Sequence, residues 1–368
     1  MCLCSCSQPS KHDVAQAIFP QVTDFTCETE DTPLSSLFSS YRLVQLETND
    51  SCLVGGERTK IVKREGVYYV NSQNYMGEGD DICLFDAEGR FLRKFNRCGQ
   101  GPEEYIKVSN FDVVNRGAGA EIWVSTYGGI KLYDAQTFAY KHTVPVPDVY
   151  VNHFKYVSDS AIVLVNNGEV AYRVCDINGR MRRPSLPKDM ANSLNYVNQF
   201  TEYQGRALYT YGSTQEALVY DPQLDSLYLQ SVVPARDDLA TATLARKYYD
   251  EYGGWDGLDK MDSEYGQLFT RVSGNQAIIM MYRPVNGGET TLTFIDSEKY
   301  KTVSVSENGP SLKNDITDGE YLTFLFTLEA CDSDDGFLFY IGDERYLDNK
   351  EIMEEENPLL LDVAGLSL

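Results

Sequence analysis

One phrase returns five times along the chain: an apolar alternating strand, an Asp, two or three turn residues and a second strand. It reads ICLFDAEGRFLRKF from Ile82 to Phe95, IKLYDAQTFAYKHTV from Ile130 to Val144, VAYRVCDINGRM from Val170, LVYDPQLDSLYLQ from Leu218 and TLTFIDSEKYKTV from Thr291. Its aspartates are Asp86, Asp134, Asp176, Asp221 and Asp296, spaced by 48, 42, 45 and 75 residues. The last interval contains an insertion at 234–266; without it, the spacing returns to about the common period. A period of about 40–50 residues carrying four strands is the signature of a propeller blade, a sheet that must stack on its neighbours to cover its own apolar faces. Asp-x-x-Gly suits a type I turn followed by a left-handed residue, and the form is complete where Gly89 and Gly179 stand.

Each phrase follows a more continuously apolar strand, beginning at Val67, Ile122, Ala161, Ala207 and Ala277, with a sixth at Phe337. Continuous apolarity means burial on both faces, as for a strand held between neighbouring sheets. The last unit (Phe337–Ile341, then NPLLLDV from Asn357) is one strand short, while YRLVQLE from Tyr41 to Glu47 is an orphan before the first unit. Pairing the orphan into the last unit closes a ring and hides two sheet edges. The sequence therefore predicts an all-β fold: a six-bladed β-propeller over 41–368, its N-terminal strand closing the last blade, with a helical insertion before blade five and a polar tether over 1–40.

The stretch GQGPEEY, from Gly99 to Tyr105, falls between two blades. A phosphate or dinucleotide loop needs a helix after its glycines, and IKVSNFDVV follows with the alternation of a strand. It reads as a corner: Gly99 and Gly101 at positive φ, Pro102 stiffening the turn, Tyr105 packed on a neighbouring blade.

With FDVV soon after it, GQGPEEY resembles the blade junction of the six-bladed β-propeller lipoproteins common in Bacteroidetes, which are themselves similar to NHL-repeat propellers. ENPLLLD, from Glu356 to Asp362, resembles the closing strand of that family. The chain departs from the pattern at Glu103, where the family often has Gly, and by its large insertion. The resemblance implies fold and envelope location, and no defined activity. MCLCSCSQ resembles a lipobox with Leu3 and Ser5 at minus three and minus one of Cys6. That implies cleavage before Cys6 and acylation of its thiol, hence an outer-membrane lipoprotein on the periplasmic or cell-surface side. The basic end and apolar stretch of a signal peptide do not precede Leu3.

The charge bears on partners. Against 32 Lys and Arg stand 55 Asp and Glu, a net charge of −23 spread along the chain, and that field repels nucleic acid and anionic membrane surfaces. Membrane contact is expected only through the lipid anchor, and the protein is expected to be a monomer. No C-x-x-C pair marks a zinc or redox site, and buried free thiols are the expected state of the remaining cysteines.

Reactive groups are sparse. The histidines are His12, His142 and His153, with no H-E-x-x-H or other paired metal spacing, and no G-x-S-x-G elbow occurs. DSDDG, from Asp332 to Gly336, is one residue short of a calcium loop and reads as a hairpin connector; DITDGE, from Asp315, reads the same way. No cofactor or metal site is expected, calcium being the one alternative.

The insertion carries the functional reading. DDLATATLARKYYDEY, from Asp237 to Tyr252, matches a helix with acidic residues at its front and Gly253-Gly254 after it. On it, Leu239, Ala242, Ala245, Tyr249 and Tyr252 share one face. Helices are foreign to propeller blades, so the segment is expected over one mouth of the ring, with Trp255, Tyr248, Tyr249 and Tyr265 as ligand-stacking candidates. Packing as a plug is the other role open to it. The function expected is non-catalytic binding of a glycan, peptide or envelope protein. The alternative is a calcium-assisted lactonase-like or other hydrolase working with Asp, Glu and Asn of the central channel.

Overall fold

Asp turns close the hairpins where the repeat places them. In the first, the Asp86 carbonyl accepts the Gly89 N–H at 3.0 Å, and Asp86 Oδ1 accepts the N–H groups of Glu88 and Arg90 at 3.0 and 2.9 Å. Asp176 repeats the arrangement. Gly89 sits at φ +81°, and a side chain there would also run into the Gln45 carbonyl. In the degenerate copies Asp134 and Asp221 still accept turn amides, and Phe138 and Asp225 take the left-handed position without glycine.

The computed structural model describes residues 30–54, 58–73, 80–117, 119–166, 172–182, 200–210, 214–273, 277–285, 288–296, 299–305, 311–316, 331–341 and 357–368, with Ile18, Phe19, Val22 and Cys27. Cys6, ENGPS (307–311) but for Ser311, and most of DITDGE lie outside them. The fold is an all-β propeller with two α-helices and a short 3-10 helix, Leu34–Leu37, among the described residues. Its first sheet runs 58–64, 67–73, 82–85 and 91–95, with Cys331–Ser333 added in parallel beside the first strand. The third (200–203, 206–210, 216–221, 226–231) and fourth (267–272, 277–283, 291–296, 299–304) are four-stranded antiparallel meanders. The fifth pairs Phe337–Ile341 with Leu359–Leu366, and Phe38–Gln45 lies antiparallel along the outer side of Leu359–Leu366.

Five sheets of three or more strands are described, where the sequence predicts six. The second and third repeat units share one sheet because two long strands, Gly119–Asp134 and Tyr140–Ser158, run through both. Tyr140–Pro145 pairs back onto Gly129–Tyr133, and Val151–Ser158 pairs forward onto Ala161–Asn166. The two halves of this sheet enclose an apolar cluster of their own, with Trp123, Ile130, Phe154 and Leu164.

Elsewhere the core lies between sheets. One cluster joins the first and second sheets, another the second and third, then third and fourth, fourth and fifth, and fifth back to first. Each sheet is thus buried on both faces, as the apolar runs require.

The GQGPEEY corner is confirmed as a corner, with one correction. Tyr105 is fully buried between the first two sheets, 5.9 Å from the Phe95 ring and 6.2 Å from Tyr133. Neither Gly99 nor Gly101 takes positive φ. The Glu104 carboxylate folds over both, accepting the Gly101 N–H at 2.8 Å, and a side chain at Gly99 would collide with it. These glycines make room rather than a left-handed bend.

Candidate functional site

Neighbouring sheets approach each other mainly through the strands that open successive repeat units. Cys331–Ser333 lies against Arg58–Arg64, Arg58–Arg64 against Asn110–Arg116, Tyr140–Ser158 against Phe200–Tyr203, and Phe200–Tyr203 against Gln267–Val272. They form an inner ring, and side chains link it across the sheets. Lys60 donates to Asn110 Oδ1, and the Asn110 amide donates to the Asn152 carbonyl and to His153 Nδ1, the latter at 2.9 Å. His153 lies 5.6 Å from the Tyr209 ring at a tilt, Thr201 donates to the Val272 carbonyl at 3.4 Å, and Arg271 donates to the Cys331 carbonyl at 3.1 Å. Arg64 completes the circuit by donating to Asp112 at 2.9 Å and to Asp332. Lys155 stands 3.6 Å from Asp112 and 3.7 Å from Asp332.

Burial sets the electrostatics of this ring. Desolvation works against the Asp332 carboxylate, but Arg64 and Lys155 outweigh it and hold its pKa below the usual range. Arg64 is likewise penalised by burial, and Asp332 and Asp112 more than restore its charge. Lys60 is different: burial pulls its ammonium down to about 8, and the attraction of Asp112 and Asp332 is too weak to restore it against Lys155 and Arg64. Burial, then Lys60, pushes His153 down to about 3. The aspartates of DSDDG already meet protein donors. Asp332 faces Arg64 and Lys155, Asp335 pairs with Lys63 at 2.7 Å, and Asp334 accepts the Glu65 N–H at 3.0 Å. Among the described residues no group of three or more His, Cys, Asp or Glu is placed to hold a metal ion.

The insertion forms two helices, α1 (Ala242–Tyr252) and α2 (Trp255–Glu264). α1 starts five residues later than the sequence predicts, because Thr241 is the cap: its hydroxyl accepts the Leu244 N–H at 3.1 Å. Asp238 stays outside the helix and pairs with Arg236. Gly253, at φ +88°, ends α1, and α2 was not read from the sequence. The base is pinned by Gln215, whose amide donates to the carbonyls of Arg236 and Leu239 and whose oxygen accepts the Arg236 N–H.

Ala242, Ala245, Tyr248, Leu258 and Met261 are buried in the cluster between the second and third sheets. The pair of helices is therefore packed into a seam of the ring. Tyr248 is buried beside Ala242 and Ala245, whereas Tyr252, grouped with those alanines in the sequence, is exposed. The four aromatic candidates come together as two contacts: Tyr249 meets Trp255 edge-on at 6.2 Å, and Tyr248 meets Tyr265 edge-on at 6.2 Å. Tyr248 is buried and donates to Glu264, Tyr249 and Tyr265 are partly buried, and Trp255 is 48% exposed.

The inner ring was missed in the sequence. Its signal is there in hindsight: polar residues at alternate positions (Asn110 and Asp112, His153 and Lys155) in the first strand of successive units, where an apolar or edge pattern is expected.

Among solved structures, the fold is similar to that of a Bacteroides fragilis protein described as exported, with a TM-score of 0.61 at 13% identity, covering 94% of this chain and 98% of the other. It is also similar to a DUF4221-family member from Bacteroides vulgatus, with a TM-score of 0.53 at 10% identity over 89% of this chain and 98% of the other. No curated protein matches the chain. A family model described as a domain of unknown function, DUF4934, matches residues 17–366.

Proposed function

We propose, because the chain belongs to the DUF4934 family and carries an exposed aromatic on a rigid ring, that it is a non-catalytic binding scaffold of the bacterial envelope. Its fold is shared with a Bacteroides protein described as exported, which supports an exported location. Attachment to the outer membrane through Cys6 follows from the lipobox resemblance. No described helix is long and apolar enough to cross a membrane. The ladder between Phe38–Gln45 and Leu359–Leu366 supports reading the N-terminal strand as the one that closes the ring.

The observation that carries the binding reading is Trp255. Its ring is half exposed while Tyr249 holds it edge-on, and the helices beneath are locked into the sheet seam by Leu258 and Met261. A large ring fixed in place loses little conformational freedom on contact, which suits stacking against a sugar ring or an apolar peptide side chain. The thiols Cys83, Cys175 and Cys331 are buried, with pKa pushed up to about 12 by desolvation, so they are poor nucleophiles. His142 donates its Nε2 proton to the Ile177 carbonyl, and His153 is held by Asn110. Among the described residues these are the partners that hold the two histidines.

A panel of envelope glycans and peptides tested by calorimetry is expected to give a ligand whose affinity falls about tenfold or more in Trp255→Ala. Equal affinity in the variant would remove Trp255 from the site and the reading with it.

A further inference from the structure

We propose that the inner ring is a binding site for an oxyanion, the carboxylate or phosphate group of a small ligand, with Lys60 and Lys155 as its ammonium donors. The site is separate from the helical insertion and stands independently of any role for Trp255.

The argument is one of charge and access. Among the described residues Lys60, Arg64 and Lys155 stand together at this level of the ring, and the carboxylates within ion-pairing reach of them are Asp112 and Asp332. Asp334 acts on Arg64 through space only, its oxygen being taken by the Glu65 N–H. Arg64 and Lys155 are matched by the two carboxylates. Lys60 is not: among the described residues it has a neutral amide, Asn110, and the face of Phe111 at 5.4 Å, and no carboxylate within ion-pairing distance. Arg271 is held by the Cys331 and Leu338 carbonyls and the Phe339 ring. In a chain with a net charge of −23, three cations thus face two carboxylates here among the described residues.

An enclosed ammonium with only neutral partners is costly. A fold retains one readily where a ligand brings the missing charge. The place is also reached by water: Lys60, Asn152, His153 and Lys155 are all partly exposed although protein surrounds them. An oxyanion seated there accepts from Lys60 and Lys155 together, relieves their mutual repulsion, and has the Phe111 ring and Asn110 to bound it.

Thermal melting and calorimetry on the full chain, with sodium phosphate and sodium glucuronate as probes and chloride at matched ionic strength as the reference, test the site. At least one probe is expected to raise the melting temperature saturably; which one does so separates a phosphate-bearing from a carboxylate-bearing ligand. Lys60→Met is expected to weaken that probe's binding about tenfold or more while melting at the parent's temperature or above it in chloride, since it removes an unmatched buried charge. Lys60→Arg is expected to keep the response. The proposal is overturned if neither probe protects beyond chloride, or if Lys60→Met responds as the parent does. It is overturned equally if Lys60→Met melts well below the parent in chloride, which would mean that the fold already supplies the counter-charge.

Discussion

At Asn110 one hydrogen-bond pattern fixes the charge of a neighbour. Lys60 can only donate, so the amide oxygen faces Lys60 and the NH₂ faces the Asn152 carbonyl and His153 Nδ1. Nδ1 then accepts, and the imidazole is neutral with its proton on Nε2, in keeping with a pKa pushed down to about 3 by burial and by Lys60. In the unfolded chain the same group has its ordinary value of 6.5. Between those values only the unfolded chain takes up the proton, so this group makes stability fall as pH drops below about 6.5, by about 2 kcal/mol at pH 5. Asp332 acts lower on the scale. Its folded pKa is depressed, so its contribution is present above the ordinary carboxylate value and lost as pH falls through the folded one. Urea unfolding at pH 7 and pH 5 is expected to show the drop in the parent, and His153→Gln to show it smaller by about that amount. An unchanged pH slope in the variant would mean that His153 is charged in the fold.

Among the elements, the helical insertion separates what stabilises from what is displayed. Met261 is fully buried where α2 meets the second and third sheets, whereas Trp255 at the start of α2 is half exposed. Met261→Ala is expected to lower the unfolding free energy by about 2–5 kcal/mol and Thr241→Ala, which removes the cap of α1, by about 1 kcal/mol. Trp255→Ala is expected to cost less than Met261→Ala, measured by denaturant unfolding of all three. A Trp255→Ala cost as large as that of Met261→Ala would make the tryptophan structural and void its use as a binding probe. The same contrast shows what the sequence can carry. The Asp turns, the apolar strands and Tyr105 are legible because alternation and turn chemistry are local. The fusion of two units is not, because proline is disfavoured inside a strand and Pro145 and Pro147 lie within this one. The strand runs through them at the stretch where it leaves Gly129–Tyr133 and has yet to meet Ala161–Asn166, so few ladder bonds are forgone there. The inner ring is less legible still, since Arg64 joins Asp112 and Asp332 across 48 and 268 residues of sequence.

For the molecule as a whole, stability is held in the seams between sheets, and each seam needs both of its walls. The seam between the fifth and first sheets takes Val44 and Leu46 from the N-terminal segment, and the seam between the fourth and fifth takes Leu34, Leu37 and Phe38. Arg42 adds a polar tie, donating to Asp362 at 2.8 Å and to the Tyr68 hydroxyl at 2.9 Å, so that one residue touches both the fifth sheet and the first. Losing a single buried leucine-sized side chain costs about 2–5 kcal/mol, and domains are commonly stable by only about 5–15 kcal/mol. If this segment closes the ring, as proposed, a chain beginning at Glu47 is short of these five side chains and of Ile18, Phe19 and Val22 in the seam between the third and fourth sheets, and it leaves Leu359–Leu366 as a bare edge. That truncated chain is expected to lose cooperative unfolding and to be cleaved rapidly by protease, and a synthetic peptide spanning 18–46, added in trans, is expected to restore resistance. A truncated chain that unfolds cooperatively at the parent's midpoint would show that the ring closes without its N-terminal strand.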